Sequence, residues 1–276
     1  MKVLVAGGHG FIGKYVVRLA KERGHDVTVS GRGDTDVAAA EGFEAVVWAA
    51  GGRVQDVEVG AEVHARAPAR ILQSSGATRF VYLGSGEAYG LQDVPFKETA
   101  ALKGSSPYSR AKVLGEEAVA AAALDFGAAA YLLRPAVVFG AGQKGQMLVP
   151  ALLNSLRQRR HFQMTRGEQT RDVIHVDDVA RLIVRCLDED APPDIYNVGT
   201  GVETRVIDVV TRVVEEASKK MGSDLMPLLE AGAIPYRDGE QMRYVLDVSR
   251  AKDKLGWQAE VSLDDGIERT VAAFLR

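Results

Sequence analysis

Hydrophobic residues in this chain fall into two patterns. Short runs that are solidly apolar or β-branched recur at residues 2–6, 25–30, 44–50 and 78–84. Longer stretches between and after them carry apolar positions at helical spacing. The short runs have the length and branching of buried strands. Helices are predicted at 15–23, stopped by Gly24, and at 57–75, broken near Pro68. A long Ala- and Glu-rich helix is predicted from Pro107, whose fixed φ suits a first helical turn. Further helices are predicted at 146–160, with Leu148, Leu152, Leu153 and Leu156 on one side, and after Asp177-Asp178 as an N-terminal cap. The last three are predicted at 206–221, 249–255 and 263–275. Strands alternating with helices in this way predict an α/β fold with a doubly wound parallel sheet.

One segment is too short for the pattern. Between Arg32 and Phe43 there is room for a single helical turn. A full helix–strand crossover takes about 25 residues. The strand that usually lies at this edge of the sheet is therefore expected to be missing.

The first strand runs directly into Gly7-Gly-His-Gly-Phe-Ile-Gly13, and a helix follows. Strand, glycine turn and helix together make a phosphate site. Gly7 permits the tight turn, Gly10 lets the backbone approach a pyrophosphate, and Gly13 lets the helix pack on the strand. The helix start offers free N–H groups and the positive end of its dipole. In such a fold, an acid at the end of the second strand holds the ribose 2′-hydroxyl of NAD, whereas an Arg there accommodates the phosphate of NADP. This strand ends Ser30-Gly-Arg-Gly33, with Arg32 and no acid at the tip. NADP is the expected cofactor, with NAD as the alternative.

Composition adds exclusions. The net charge is −3, so no basic surface advertises nucleic acid. The single Cys186 rules out an internal disulfide. No Cys/His/acid cluster has metal-ligand spacing. The chain starts on a strand-like run and no apolar run reaches membrane-spanning length, so a soluble cytoplasmic protein is expected.

A second constellation carries chemistry. The strand at 78–84 delivers Ser85-Gly-Glu-Ala-Tyr-Gly90 at its C-terminal end, where open α/β sheets place ligands. The next helix carries Tyr108 and Lys112, four apart and so on one face. A phenol has a reference pKa of about 10, and a nearby ammonium lowers it. Tyrosine with lysine one turn later is a workable acid/base pair, and Ser85 is placed to hold the reacting oxygen.

With these residues in hand, the chain resembles the extended short-chain dehydrogenase/reductase family, in its NAD(P)-dependent epimerase/dehydratase branch acting on nucleotide sugars. The resemblance rests on the glycine turn, on Ser85 with Tyr89-Gly90, and on Tyr108-Ser-Arg-Ala-Lys112. It continues through Leu133-Arg-Pro-Ala-Val-Val-Phe-Gly140, Arg171-Asp-Val-Ile-His-Val-Asp-Asp178, Tyr196-Asn-Val-Gly199 and Leu255-Gly-Trp257. It implies a Rossmann-type dinucleotide-binding domain, residues 1–140 plus 172–199, and a small discontinuous substrate-binding domain, 141–171 plus 200–276. The cofactor set it implies is Gly7, Gly10, Phe11, Ile12, Gly13, Arg32, Ala49, Ala50, Gly51, Tyr108, Lys112 and Pro135. Tyr108 would be the acid/base, Lys112 would bind the nicotinamide ribose and tune it, and Ser85 would bind the reacting oxygen. Ser85 and Glu87 would face the sugar, while Arg171 and Arg237 would grip its diphosphate. A nucleotide sugar is the expected partner, and a homodimer is open.

The chain departs from the family pattern at three places. His64 stands where the family usually has Asn, and Val137 replaces an Asn that often contacts the sugar nucleotide. Family dehydratases carry an acid and a base directly after the catalytic Ser or Thr; here Glu87 could be the base, but Gly86 leaves the acid position empty. That argues against dehydration. Three readings follow: a nucleotide-sugar 4-ketoreductase, favoured by Arg32, or a 4-epimerase; hydride transfer to another small ketone; and, in a different class, a cofactor-binding regulatory or RNA-binding protein of the same fold.

Overall fold

The computed structural model describes residues 1–31, 42–52 and 55–276. Its centre is a parallel sheet of six strands: β1 (Lys2–Ala6), β2 (Asp26–Ser30), β3 (Ala45–Trp48), β4 (Arg79–Leu83), β5 (Ala129–Pro135) and, much later, β10 (Ile195–Val198). They lie in the order β10-β5-β4-β3-β1-β2. The apolar runs do not alternate because both faces are covered. Val3, Val5, Val47 and Val81 point to one side, against α1 (Phe11–Glu22) and α6 (Val176–Arg185). Leu4, Val46, Trp48 and Phe80 point to the other, against α3 (Ala67–Ser75) and α4 (Pro107–Phe126). This is the doubly wound parallel sheet expected from the sequence.

Among the described residues, β2 pairs with β1 alone and forms the sheet edge. The segment in which a strand was expected to be missing, and Arg32 within it, lies outside the described residues.

The predicted helix 57–75 is not broken at Pro68. It runs as α2 (Val57–Ala61), a π-helical turn (Glu62–Arg66) and α3. Pro68 has no N–H to return to the carbonyl of His64 four residues back. That carbonyl instead accepts a hydrogen bond from the Tyr82 hydroxyl at 2.9 Å. The wider π turn sits where the ladder loses its donor. The cap of α6 also differs from expectation. His175, through Nδ1, accepts from the Asp177 N–H, and Asp177 and Asp178 lie inside the first turn. Carboxylates there still favour the dipole.

Over the strand ends lies a second apolar cluster. It is built by α5 (Leu148–Arg157), α7 (Val206–Met221) and α9 (Leu263–Phe274) around Phe139. Short pairs stitch it together: β6 (Val137–Phe139) with β9 (Val173–His175), β7 (Phe162–Met164) with β12 (Leu229–Ala231), and β8 (Thr170–Arg171) with β11 (Thr204–Arg205). The segment holding Tyr244, Leu246 and α8 (Ser249–Leu255) returns to the main sheet and packs in its core. No helix among the described residues is long and apolar enough to cross a membrane.

Candidate active site

The C-terminal ends of β1, β3, β4 and β5 open onto one cleft of about 1050 Å³. At its first wall, Gly7 has φ +79°, and a Cβ there would lie 2.6 Å from the Ala50 backbone. A Cβ on Gly13 would lie 2.2 Å from the Gly7 carbonyl oxygen. These two glycines make the turn and stand behind the cleft, while Gly10, Phe11 and Ile12 line it. Gly10 is the N-cap of α1 and supplies no capping side chain. The first N–H groups of the helix therefore take no side-chain cap, and N–H groups of this kind can seat an anion. Ala49, Ala50, Gly51 and Pro135 line the same space.

Ser85, Tyr108 and Lys112, the residues expected to carry the chemistry, line the same cleft. Ser85 is buried at the end of β4, and its Oγ accepts from the Glu87 N–H at 3.2 Å. Tyr108 stands in the first turn of α4. That turn is fixed by a capping box between Ser106 and Ser109, with both bonds at 3.0 Å. Lys112 follows one turn later, and its Nζ donates to the Leu83 carbonyl at 2.7 Å. It lies 5.3 Å from the ring centre of Tyr82 and 5.8 Å from that of Tyr108. Burial pushes the Lys112 ammonium down to about 7, and the Glu116 carboxylate opposes this.

Behind the lysine lies a buried network that the sequence reading missed. Glu116 accepts from Arg134 Nε at 2.9 Å and from Nη2 at 2.7 Å, a forked pair with both side chains only 4% exposed. Arg134 Nη1 donates to the Tyr89 hydroxyl at 2.9 Å, and that hydroxyl donates to Asn197 Oδ1 at 2.7 Å. Glu116 lies one turn after Lys112 on α4, but its partner Arg134 comes from β5, a separate element.

At the far end, Arg171 and Arg237 both line the cleft, as do Glu87 and Val137. Arg171 is already engaged: its guanidinium donates to the Gln241 carbonyl at 2.8 Å and pairs with Glu240 at 2.5 Å. A phosphate binding there has to share that guanidinium with a carboxylate. Among the described residues no three His, Cys, Asp or Glu side chains gather as a metal site.

The position after Ser85 is not empty. The Tyr244 hydroxyl fills the space beside Gly86, where a Cβ would lie 2.0 Å from it and 3.2 Å from the ring carbon that bears it. Burial, with Asp172 and Glu87 nearby, raises the Tyr244 phenol well above its usual value, so it is a neutral hydroxyl throughout the working range. Gly86→Ala should therefore destabilise the fold by about 1–3 kcal/mol through overpacking. Adding Tyr244→Phe should recover most of that loss in a thermal melt. A single variant as stable as the parent would show that the hydroxyl moves aside freely.

A family model described as the NAD dependent epimerase/dehydratase family matches residues 3–199. The dTDP-glucose 4,6-dehydratase of Escherichia coli is 29% identical over 219 residues, 72% of this chain and 60% of that protein. The dTDP-4-dehydro-6-deoxyglucose reductase of Escherichia coli is 26% identical over 205 residues, 72% of this chain and 62% of that protein. The chain thus spans about 60% of the length of the curated relatives it matches. Among solved structures, the UDP-glucose 4-epimerase of Thermotoga maritima with UDP-glucose superposes with a TM-score of 0.87. It is 29% identical, and the match covers 100% of this chain and 99% of that one.

Proposed function

The chain belongs to the NAD dependent epimerase/dehydratase family, and from that premise we propose an NAD(P)-dependent oxidoreductase working at C4 of a nucleotide-diphosphate sugar, as a 4-ketoreductase. The observation that carries this reading is the meeting, in one cleft, of the α1 anion seat, of Ser85, Tyr108 and Lys112, and of Arg171 and Arg237. The glycine turn fits a pyrophosphate, because it has no side chain where backbone and ligand must approach. Residues 1–140 plus 172–199 would hold the dinucleotide, and 141–171 plus 200–276 the sugar nucleotide.

When bound, the nicotinamide supplies the hydride. The chain's own residues do the rest. The Tyr108 hydroxyl gives its proton to the C4 oxygen as the ketone becomes an alcohol. Ser85 Oγ donates a hydrogen bond to the same oxygen, stabilising charge as it develops. Lys112 favours the phenolate left behind. Arg171 and Arg237 hold the diphosphate by charge-assisted bonds. Arg171→Gln should raise the KM for a sugar nucleotide about tenfold or more, with little change in kcat, because that contact is the same in ground and transition states. Equal losses in both constants would place Arg171 at the reaction centre instead.

Dehydratases are prominent among the relatives, but Gly86 carries no carboxylic acid, and the Tyr244 hydroxyl occupies the space beside it. A 4-epimerase is the second reading, supported by the likeness to the Thermotoga maritima enzyme. The net charge of −3 speaks against an RNA-binding role.

Arg32 favours NADP over NAD. Arg32→Ala should weaken NADP binding about tenfold or more and leave NAD nearly unchanged, as calorimetry would read. Tighter NAD binding by the parent would reverse the preference. The sugar is found by melting shifts across a panel of UDP- and dTDP-sugars with either dinucleotide present. NADPH consumption with a 4-keto sugar supports the reductase, and interconversion of C4 epimers without net redox supports the epimerase.

A further inference from the structure

His64 lies outside the reacting set, yet it touches both the cofactor wall and the acid. It is fully buried in the π turn between α2 and α3. Its Nε2 lies 3.3 Å from the Gly52 carbonyl oxygen. A carbonyl only accepts, so Nε2 carries the proton and Nδ1 is bare. Nδ1 has no partner among the described residues. Burial and the neighbouring Lys112 push His64 down to about 4, which keeps the ring neutral at pH 7. Gly51 has φ +105° and lies flat against the imidazole: a Cβ there would stand 2.3 Å from His64 Cε1. Gly51 and Gly52 both line the cleft.

On its other side the imidazole stands nearly perpendicular to the Tyr108 ring, at 84° and 5.8 Å between centres. Its backbone is gripped too. The Tyr82 hydroxyl bonds the His64 carbonyl, and the Tyr82 ring lies under Lys112 Nζ.

We propose that His64 is a positioning residue with two separable duties: Nε2–H holds the Gly51–Gly52 turn in the shape that takes the dinucleotide, and the ring holds the Tyr108 phenol beside Lys112. This rests on the dinucleotide reading above. It makes the two parts of the site one mechanical unit. Displacement of the turn by a bound dinucleotide is passed through one imidazole to the acid.

Two substitutions separate the duties. His64→Phe keeps a perpendicular ring but has no donor for Gly52. It should weaken binding of the preferred dinucleotide, NADP or NAD, about tenfold in calorimetry and leave the phenolate titration of Tyr108 in place. His64→Asn keeps a donor but has no ring. It should leave the dinucleotide Kd within about twofold and move the phenolate titration upward by about one pH unit. That titration is read as the ultraviolet difference between each protein and its Tyr108→Phe counterpart. Parallel changes in both readouts, or changes in melting temperature alone, would overturn the proposal. Should either variant fail to fold, amide exchange of the parent decides. Saturating dinucleotide should protect residues 51–52 and the turn at 62–66 together, and protection of 51–52 alone overturns the coupling. A parent that binds neither dinucleotide removes the cofactor reading and this inference together; a parent that binds one but fails the separation removes only the inference.

Discussion

Tyr108→Phe should lower turnover by about two to four decades, the usual range for loss of a positioned general acid. The substitution removes one oxygen and little else. The ring stays, with its perpendicular contact to His64 and its place in the capped first turn of α4. The anion seat is built by the other wall, at Gly10, Phe11 and Ile12. Dinucleotide affinity should therefore stay within about twofold of the parent, because no group that holds the phosphates has moved. The residual rate reflects orientation and the Ser85 hydroxyl. Turnover within about fivefold of the parent would remove Tyr108 as the proton donor and direct attention to Tyr244, a buried phenol that also lines the cleft.

Arg134→Met should cost about 3–5 kcal/mol of stability, because it leaves Glu116 buried and charged with its forked partner gone. Burial already pushes the Glu116 carboxyl above its usual range, and Arg134 is the largest influence holding it down. In a chain of this size, each kcal/mol shifts the melting temperature by roughly 2–4 °C, so the drop should be roughly 6–20 °C. Tyr89 also loses a donor to its hydroxyl. The double variant Arg134→Met/Glu116→Leu should recover much of the loss, since an apolar pair replaces a buried ion pair with little penalty. Its failure to recover would mean that the wider network through Asn197 matters more than the pair. A single variant within about 1 kcal/mol of the parent would show that the charge is relieved by protonation of Glu116.

What could be read beforehand follows from how local each interaction is. The start of α4 was legible because Ser106, Pro107 and Ser109 settle it among themselves. The glycine turn was legible because Gly7 and Gly13 meet each other and the adjacent backbone. The π turn was half-legible. Pro68 announces a missing donor, but the hydroxyl that takes the freed carbonyl belongs to Tyr82 on another strand. The cap of α6 misled because Asp is the common capping residue, whereas here an imidazole nitrogen does the work. Tyr244 was invisible: Gly86 shows only that something needs room, and the occupant arrives from far along the chain. Glu240 against Arg171 was hidden for the same reason.

The position of β10 in the sheet has a consequence for synthesis of the protein. Strand β5 ends at Pro135, and its outer neighbour begins only at Ile195. At about 5–20 residues per second, the free edge of β5 waits roughly 3–12 s for that partner after it is made. During the wait it offers unpaired N–H and C=O groups to any other extended chain. Asn197, which closes the polar network behind Lys112, arrives with the same strand. Tyr244 comes later still, so the glycine turn at residues 7–13 is made first and the hydroxyl beside Gly86 last. A ribosome halted between these points carries the first five strands of the sheet with the β5 edge unpaired. Chaperone contact, if it is needed, falls within that interval.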